Sequence, residues 1–239
     1  MKVQNLPRRL PLLLCSALLL ARATTAEPDQ EWWQGFELGT RVTWTYLTDN
    51  KRPVSATTES MGSFYGSINQ LDVHQDYLPL KVFVAYRFCP YGGLELSWDS
   101  LSVKTLTRSD GHTDGDLNYW GPAFSVFVRY PWEHGLTPYA GAGLSYYFVN
   151  FDEDPQWHRP PGRPLVQTLD FDRTWGALVY AGIIWTFAEQ WSADFHLRYT
   201  KVQDAVGTHW QGPDGRDYGG EPHIPLSNIT TGLGVRYSF

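Results

Sequence analysis

The stretch LSNITTGLGVRYSF, residues 226–239, closes the chain and decides its fold. Ile229, Thr231, Leu233, Val235, Tyr237 and Phe239 share one parity, and Asn228, Thr230, Gly232, Gly234, Arg236 and Ser238 share the other. Successive side chains of a β-strand point to opposite faces, so this stretch reads as a strand with one apolar face and one polar or small face. The apolar face carries no charge. Such a face needs either a second sheet or hydrocarbon against it.

The same period of two recurs upstream, in about 33–48, 77–88, 94–99, 119–130, 137–149, 174–187 and 192–200, which with the last stretch makes eight strands. One parity is apolar throughout, as in Leu80, Val82 and Val84 or Phe124, Val126 and Val128. The other carries Glu37, Arg41, Lys81, Arg87, Glu95, Asp99, Arg129, Asp194, His196, Arg198 and Arg236. Pro122 has no N–H to give a ladder, and predicts a bulge or strand end within 119–130. Connections alternate in length: those near 49–76, 104–118, 150–172 and 203–225 are long and polar, whereas those near 89–92, 131–136 and 188–190 are short. An antiparallel up-and-down barrel with short turns at one rim and long loops at the other produces this rhythm. The 49–76 connection is long enough to hold an extra hairpin or short helix near 62–71.

The chain begins with Lys2, Arg8 and Arg9 ahead of an apolar run over 10–21, then small residues at Ala23, Thr24, Thr25 and Ala26. This pattern predicts a signal peptide over 1–26, cut after Ala23 or Ala26, and a barrel domain over 27–239. The run is shorter than the roughly 20 apolar residues that a membrane helix needs. Cys15 lies inside it, which leaves Cys89 as the sole thiol of the exported chain and excludes an intrachain disulfide.

Aromatic residues make up 15% of the chain, and many sit near predicted strand ends: Trp33, Tyr46, Trp98, Trp120, Tyr130, Trp132, Trp185, Trp191, Tyr237 and Phe239. Amphipathic rings at these places suit the two water–hydrocarbon boundaries of a membrane. An exported chain with alternating hydrophobicity is what an eight-stranded transmembrane β-barrel requires; a secreted all-β domain is the competing reading. The formal net charge of −6, without a basic patch, argues against nucleic acid as a partner.

In the order LPLKVFVAYRF, TPYAGAGLSYYF, TWGALVYAGIIWTF, WSADFHLRYTKV, GLGVRYSF, the chain from about residue 77 onward resembles the OmpW family of small outer-membrane barrels. The most specific pieces are Pro138 to Gly143, Trp175-Gly176 and the terminal strand. The resemblance implies a Gram-negative outer-membrane location, eight strands, and a narrow channel for passive uptake of small hydrophobic molecules. It also implies that Val235, Tyr237 and Phe239 form the signal read by the barrel-assembly machinery. The expected surroundings are outer-membrane lipid and lipopolysaccharide around a monomer. A non-conducting structural or surface-interaction barrel acting through its outer loops is the alternative.

A bore of eight strands holds only side chains or one slender ligand. Charges of both signs on the inward parity should pair, because an unpaired buried charge costs several kcal/mol. Phe83, Phe127, Tyr139, Tyr147, Leu178, Tyr180 and Ile184, also inward, form a candidate apolar pocket. No catalytic set emerges. His196 is followed two residues later by Arg198 rather than by a serine, which departs from the lipid A deacylase pattern of some small barrels. His112, His134, His158, His209 and His223 lack metal-ligand spacing, so neither a metal nor another cofactor is expected.

Overall fold

The computed structural model describes residues 35–48, 70–73, 80–106, 113–159, 166–211, 216–217 and 223–239. The expected signal peptide, Trp33, His112 and most of the 49–76 connection lie outside these residues. The strands are β1 (Phe36–Leu47), β2 (Gln70–Val73), β3 (Leu80–Cys89), β4 (Gly92–Leu106), β5 (Thr113–Arg129), β6 (Leu136–Glu153), β7 (Gln167–Phe171), β8 (Thr174–Thr186), β9 (Trp191–Val202), β10 (Ala205–Gln211), β11 (Arg216–Asp217), β12 (His223–Ile224) and β13 (Asn228–Ser238). Eight of them form the wall. Every neighbouring pair around the ring β1, β3, β4, β5, β6, β8, β9, β13 is antiparallel, and β13 returns to pair with β1 from Glu37↔Ser238 to Leu47↔Asn228. The ring has no free edge, so hydrocarbon meets no unpaired row of backbone groups.

One rim carries both ends of the described wall and the short turns. Pro90 and Tyr91 alone join β3 to β4. The β5–β6 turn contains Gly135 at φ 74, where an added Cβ would lie 2.8 Å from the Thr186 carbonyl oxygen. Outward side chains above this rim are exposed and apolar: Leu38, Val82, Leu96, Val126, Leu144, Val179, Leu197 and Leu233. Exposed aromatics bound this band on both sides. Tyr130, Trp132, Trp185, Trp191 and Phe239 lie near the short-turn rim, and Tyr46, Trp98, Trp120 and Trp175 lie toward the other.

Beyond that second boundary the polarity of the alternation reverses. Ser102, Lys104, Asp116, Asn118, Asn150 and Asp152 take the outward places, while Leu101, Val103, Leu117, Tyr119 and Phe151 turn inward and are buried. They join Leu71, Tyr147, Trp157, Leu169, Val202, Ala205, Ile224 and Leu226 in one apolar core. The wall has left the lipid here, so water now favours polar residues outside and apolar residues within.

This reversal corrects the expected loop boundaries. β4 and β5 run to Leu106 and from Thr113, through most of the connection expected at 104–118. β6 extends to Glu153, followed by a helical turn, Pro155–His158, capped by the Asp154 carboxylate, which accepts from the Gln156 N–H. β7, β10, β11 and β12 form a small sheet from the connections expected at 150–172 and 203–225. Pro122 is a second correction: β5 neither bulges nor ends there. Trp120↔Phe148 and Ala123↔Ser145 keep one register, but Gly121 and Pro122 pair with neither Tyr147 nor Tyr146. The backbones remain close, since a Cβ on Gly121 would collide with the Tyr146 carbonyl oxygen.

Charge substitutions separate the two zones. Leu233→Arg, in the hydrocarbon band, should lower the stability of the barrel in lipid vesicles by ~2–4 kcal/mol. Ser102→Arg, outward but beyond the boundary, should change it by under ~0.5 kcal/mol in the same urea titration.

Candidate functional site

Inside the hydrocarbon band the bore is filled by ion pairs in layers. Nearest the short-turn rim, the Glu37 carboxylate receives Arg87 at 2.9 Å, Arg129 at 3.0 Å and Arg236 at 2.8 Å. Arg129 also donates to the Pro90 carbonyl. One layer further in, Arg41 makes a two-pronged pair with Glu95 at 2.8 and 3.0 Å and donates through Nε to Asp194 at 2.7 Å. Arg236 bridges the layers, reaching Asp194 at 3.2 Å and Glu95 at 3.3 Å. Asp194, only 1% exposed, thus holds two guanidiniums.

Aromatic rings line this layer because the wall makes room for them. Phe83 lies opposite Gly39, Phe127 opposite Gly93, Tyr180 opposite Gly141 and Tyr139 opposite Gly182. Each ring rests where the opposite glycine's Cβ would be. Arg41 stacks over Phe83 with its guanidinium carbon 3.8 Å from the ring centre, and Arg236 lies 4.6 Å from the same centre. The Tyr139 hydroxyl donates to Asp194 at 2.6 Å, so its contact with His196 Nδ1 at 3.0 Å requires a proton on Nδ1, donating to the tyrosine oxygen. Ser125 donates to the Glu95 carbonyl and accepts from Tyr180.

The layer nearest the outer boundary is smaller. Asp99 receives Lys81 at 3.0 Å and both terminal nitrogens of Arg198 at 3.0 and 2.9 Å, and accepts from the Tyr147 hydroxyl at 3.1 Å. The apolar core begins directly above. Tyr147 belongs to it and packs edge-on against Tyr119, ring centres 5.0 Å apart.

All eleven charged or titratable positions expected on the inward parity therefore face one another in the bore. Of the candidate pocket residues, Phe83, Phe127, Tyr139, Leu178, Tyr180 and Ile184 are buried in a single cluster, and Tyr147 stands apart in the core above. Sequence reading missed Ser125, Tyr119, Thr200 and Asn228. Asn228 donates to the Tyr119 hydroxyl at 3.0 Å and to the Leu226 carbonyl at 2.9 Å, at the top of β13. Its inward parity was the available signal. Val235, Tyr237 and Phe239 point outward at the short-turn rim, where Tyr237 packs edge-on against Trp191 and Phe239. Cys89 is a buried free thiol. His196 and Arg198 both lie inside the bore, away from lipid. His158 lies in the outer assembly, its Nδ1 2.7 Å from the Gln167 carbonyl oxygen and 3.2 Å from Glu153. Among the described residues no three His, Cys, Asp or Glu side chains gather as a metal site.

Comparison with known proteins agrees with this architecture. Residues 13–239 match the family model described as outer membrane protein beta-barrel domain. OprG from Pseudomonas aeruginosa is similar in structure, with TM-score 0.62 at 12% identity over 86% of this chain and 96% of that one. AlkL in lipid bilayers gives TM-score 0.59 at 14% identity, covering 100% of this chain and 97% of its own. The E. coli outer membrane protein W gives 0.52 at 16% identity over 86% and 97%. At such identities the likeness speaks for the fold alone. No curated protein matches the chain by sequence.

The network predicts a large local penalty. Asp194→Asn leaves Arg41, Arg236 and Tyr139 without their shared anion, and should cost about 3–5 kcal/mol in urea unfolding from lipid vesicles.

Proposed function

We propose a function on one premise: this chain belongs to the outer membrane protein beta-barrel domain family and resides in the bacterial outer membrane. The proposed role is passive uptake of small hydrophobic molecules, with release sideways into the outer membrane rather than through the bore. The observation that carries it is the interrupted β5–β6 ladder. Below it, Glu37, Arg41, Glu95, Asp194 and Arg236 are all nearly devoid of exposed surface, so a water-filled path straight through has no room. Beside it, Gly121 and Pro122 adjoin Tyr146 and Tyr147 without ladder pairing, at the level where the polar layers give way to the apolar core.

On the outer face the seam is framed by aromatics. Trp120 stacks on Phe148, and Tyr146 contacts both Phe148 and Trp175. Parting two strands is cheapest where the fewest hydrogen bonds break. A hydrophobic solute that passes the apolar core would leave here, onto a surface already apolar. Lipid and lipopolysaccharide surround the wall of a monomer, and the assembly machinery reads Val235, Tyr237 and Phe239 during insertion.

The second reading, a surface-interaction barrel, draws on a different observation. The β7, β10, β11 and β12 sheet and the apolar core under it make the outer end an ordered platform. Uptake of a hydrophobic fluorescent dye by intact cells separates the two. Cells carrying the chain should take up dye faster than cells without it. Pro122→Val, which returns one N–H to the seam, should slow uptake about two- to tenfold, the factor set by one net hydrogen bond. Dye uptake no faster than in cells lacking the chain would favour the second reading.

A further inference from the structure

The charge count along the bore is uneven. Among the described residues, Arg41, Lys81, Arg87, Arg129, Arg198 and Arg236, six cations, pair with four carboxylates, Glu37, Glu95, Asp99 and Asp194. Arg87 and Arg129 lie at the rim and are partly exposed, so water can screen them. Lys81 and Arg198 have no such relief: both are deeply buried, and among the described residues Asp99 is the one carboxylate that either reaches. A two-to-one excess of cations in a dry site is costly and favours an anion beside it.

Two further atoms in this layer point the same way. Arg198 binds Asp99 through its terminal nitrogens only, and its Nε is buried without a hydrogen-bond partner among the described residues. Thr200, two residues along the same inward face of β9, is 0% exposed, and among the described residues its hydroxyl is likewise unpartnered. An unmade hydrogen bond at a buried donor is expensive, and both atoms can donate. Directly above lie Tyr119, Tyr147, Val202 and the rest of the apolar core, and Asp99 stands in register with Gly121 at the seam. The site therefore joins an anion-seeking polar floor, an apolar roof and a weak place in the wall.

We propose that the Lys81–Asp99–Arg198 layer receives the head of an amphiphile bearing a single carboxylate, while its short apolar body lies against Tyr119, Tyr147 and the core above. This names the solute class of the uptake route and rests on that route. The carboxylate would accept from the Lys81 ammonium, the Arg198 Nε–H and the Thr200 hydroxyl, making the local charges equal. A neutral alcohol of the same length can accept from one of these donors but brings no charge to balance the cations, and a plain hydrocarbon satisfies no donor.

The test uses the protein folded in lipid vesicles and two photoreactive probes, a diazirine-bearing octanoate and the matching octanol, with labelled residues mapped by mass spectrometry. The octanoate probe should label the inward segments of β4, β5 and β6 near the seam at least about tenfold more than the octanol probe, the factor set by one charge-assisted hydrogen bond. Lys81→Met and Thr200→Val should each lower octanoate labelling several-fold more than octanol labelling, with heat-modifiable gel migration reporting a folded barrel. Thr200→Val keeps the shape of the side chain and removes only the hydroxyl, so it carries the test if Lys81→Met does not fold. Equal labelling by both probes, or octanoate labelling that is unmoved in folded variants, overturns the proposal. Equal labelling together with dye uptake that still depends on Pro122 overturns the carboxylate head alone; selective labelling without any dye uptake overturns the route and keeps the site.

Discussion

Hydrocarbon offers no partner to a backbone N–H or C=O, and the closure of β13 onto β1 answers that constraint. Everything else in the molecule follows from the narrowness of the ring that results. Eight strands bring opposite walls within side-chain reach, so inward charges on β1, β3, β4, β5, β9 and β13 have no option but to meet. Glu37 on β1 gathers arginines from β3, β5 and β13, and Asp194 on β9 gathers them from β1 and β13. These links tie together strands far apart in sequence and across the bore. The same pairs exclude water, which strengthens each of them.

The lumen changes character along its length. Ion pairs occupy the part surrounded by lipid, and a core built mainly of apolar side chains occupies the part that rises beyond it. This arrangement is the opposite of the wall's exterior at each level. Where the outside is greasy the inside is charged, and where the outside is polar the inside is greasy. The boundary between the two coincides with the Asp99 layer, the Tyr119–Tyr147 contact and the Gly121–Pro122 step that lacks pairing to β6, so the polar floor, the apolar roof and the seam meet within a few residues of one another. A solute with both polar and apolar parts is the natural tenant of such a boundary.

The wall was largely legible in the sequence because lipid imposes a strict period of two, and Leu80 to Phe88 and Ile229 to Phe239 keep it without interruption. The inward charges followed from parity alone. Strand ends beyond the lipid were not legible, since there the apolar residues, Leu101, Val103, Leu117 and Phe151, take the inward parity that carries the charges lower down, which inverts the pattern on which the reading rests. Pro122 misled for a different reason. A ring closed on both sides holds its neighbours in register, so a missing N–H leaves one step of the β5–β6 ladder without pairing instead of ending the strand. Which cation takes which carboxylate, and that Thr200 and the Arg198 Nε find no partner among the described residues, depend on shear and rotamer, which no single strand encodes.

Ion conductance across a planar lipid bilayer tests the central claim most directly, namely that the bore is shut by its own side chains. Purified protein inserted into such a bilayer in concentrated potassium chloride should show no steady open steps, because no continuous water path passes the Glu37, Arg41, Glu95, Asp194 and Arg236 layers. Stable, ohmic steps of a water-filled pore would contradict the account.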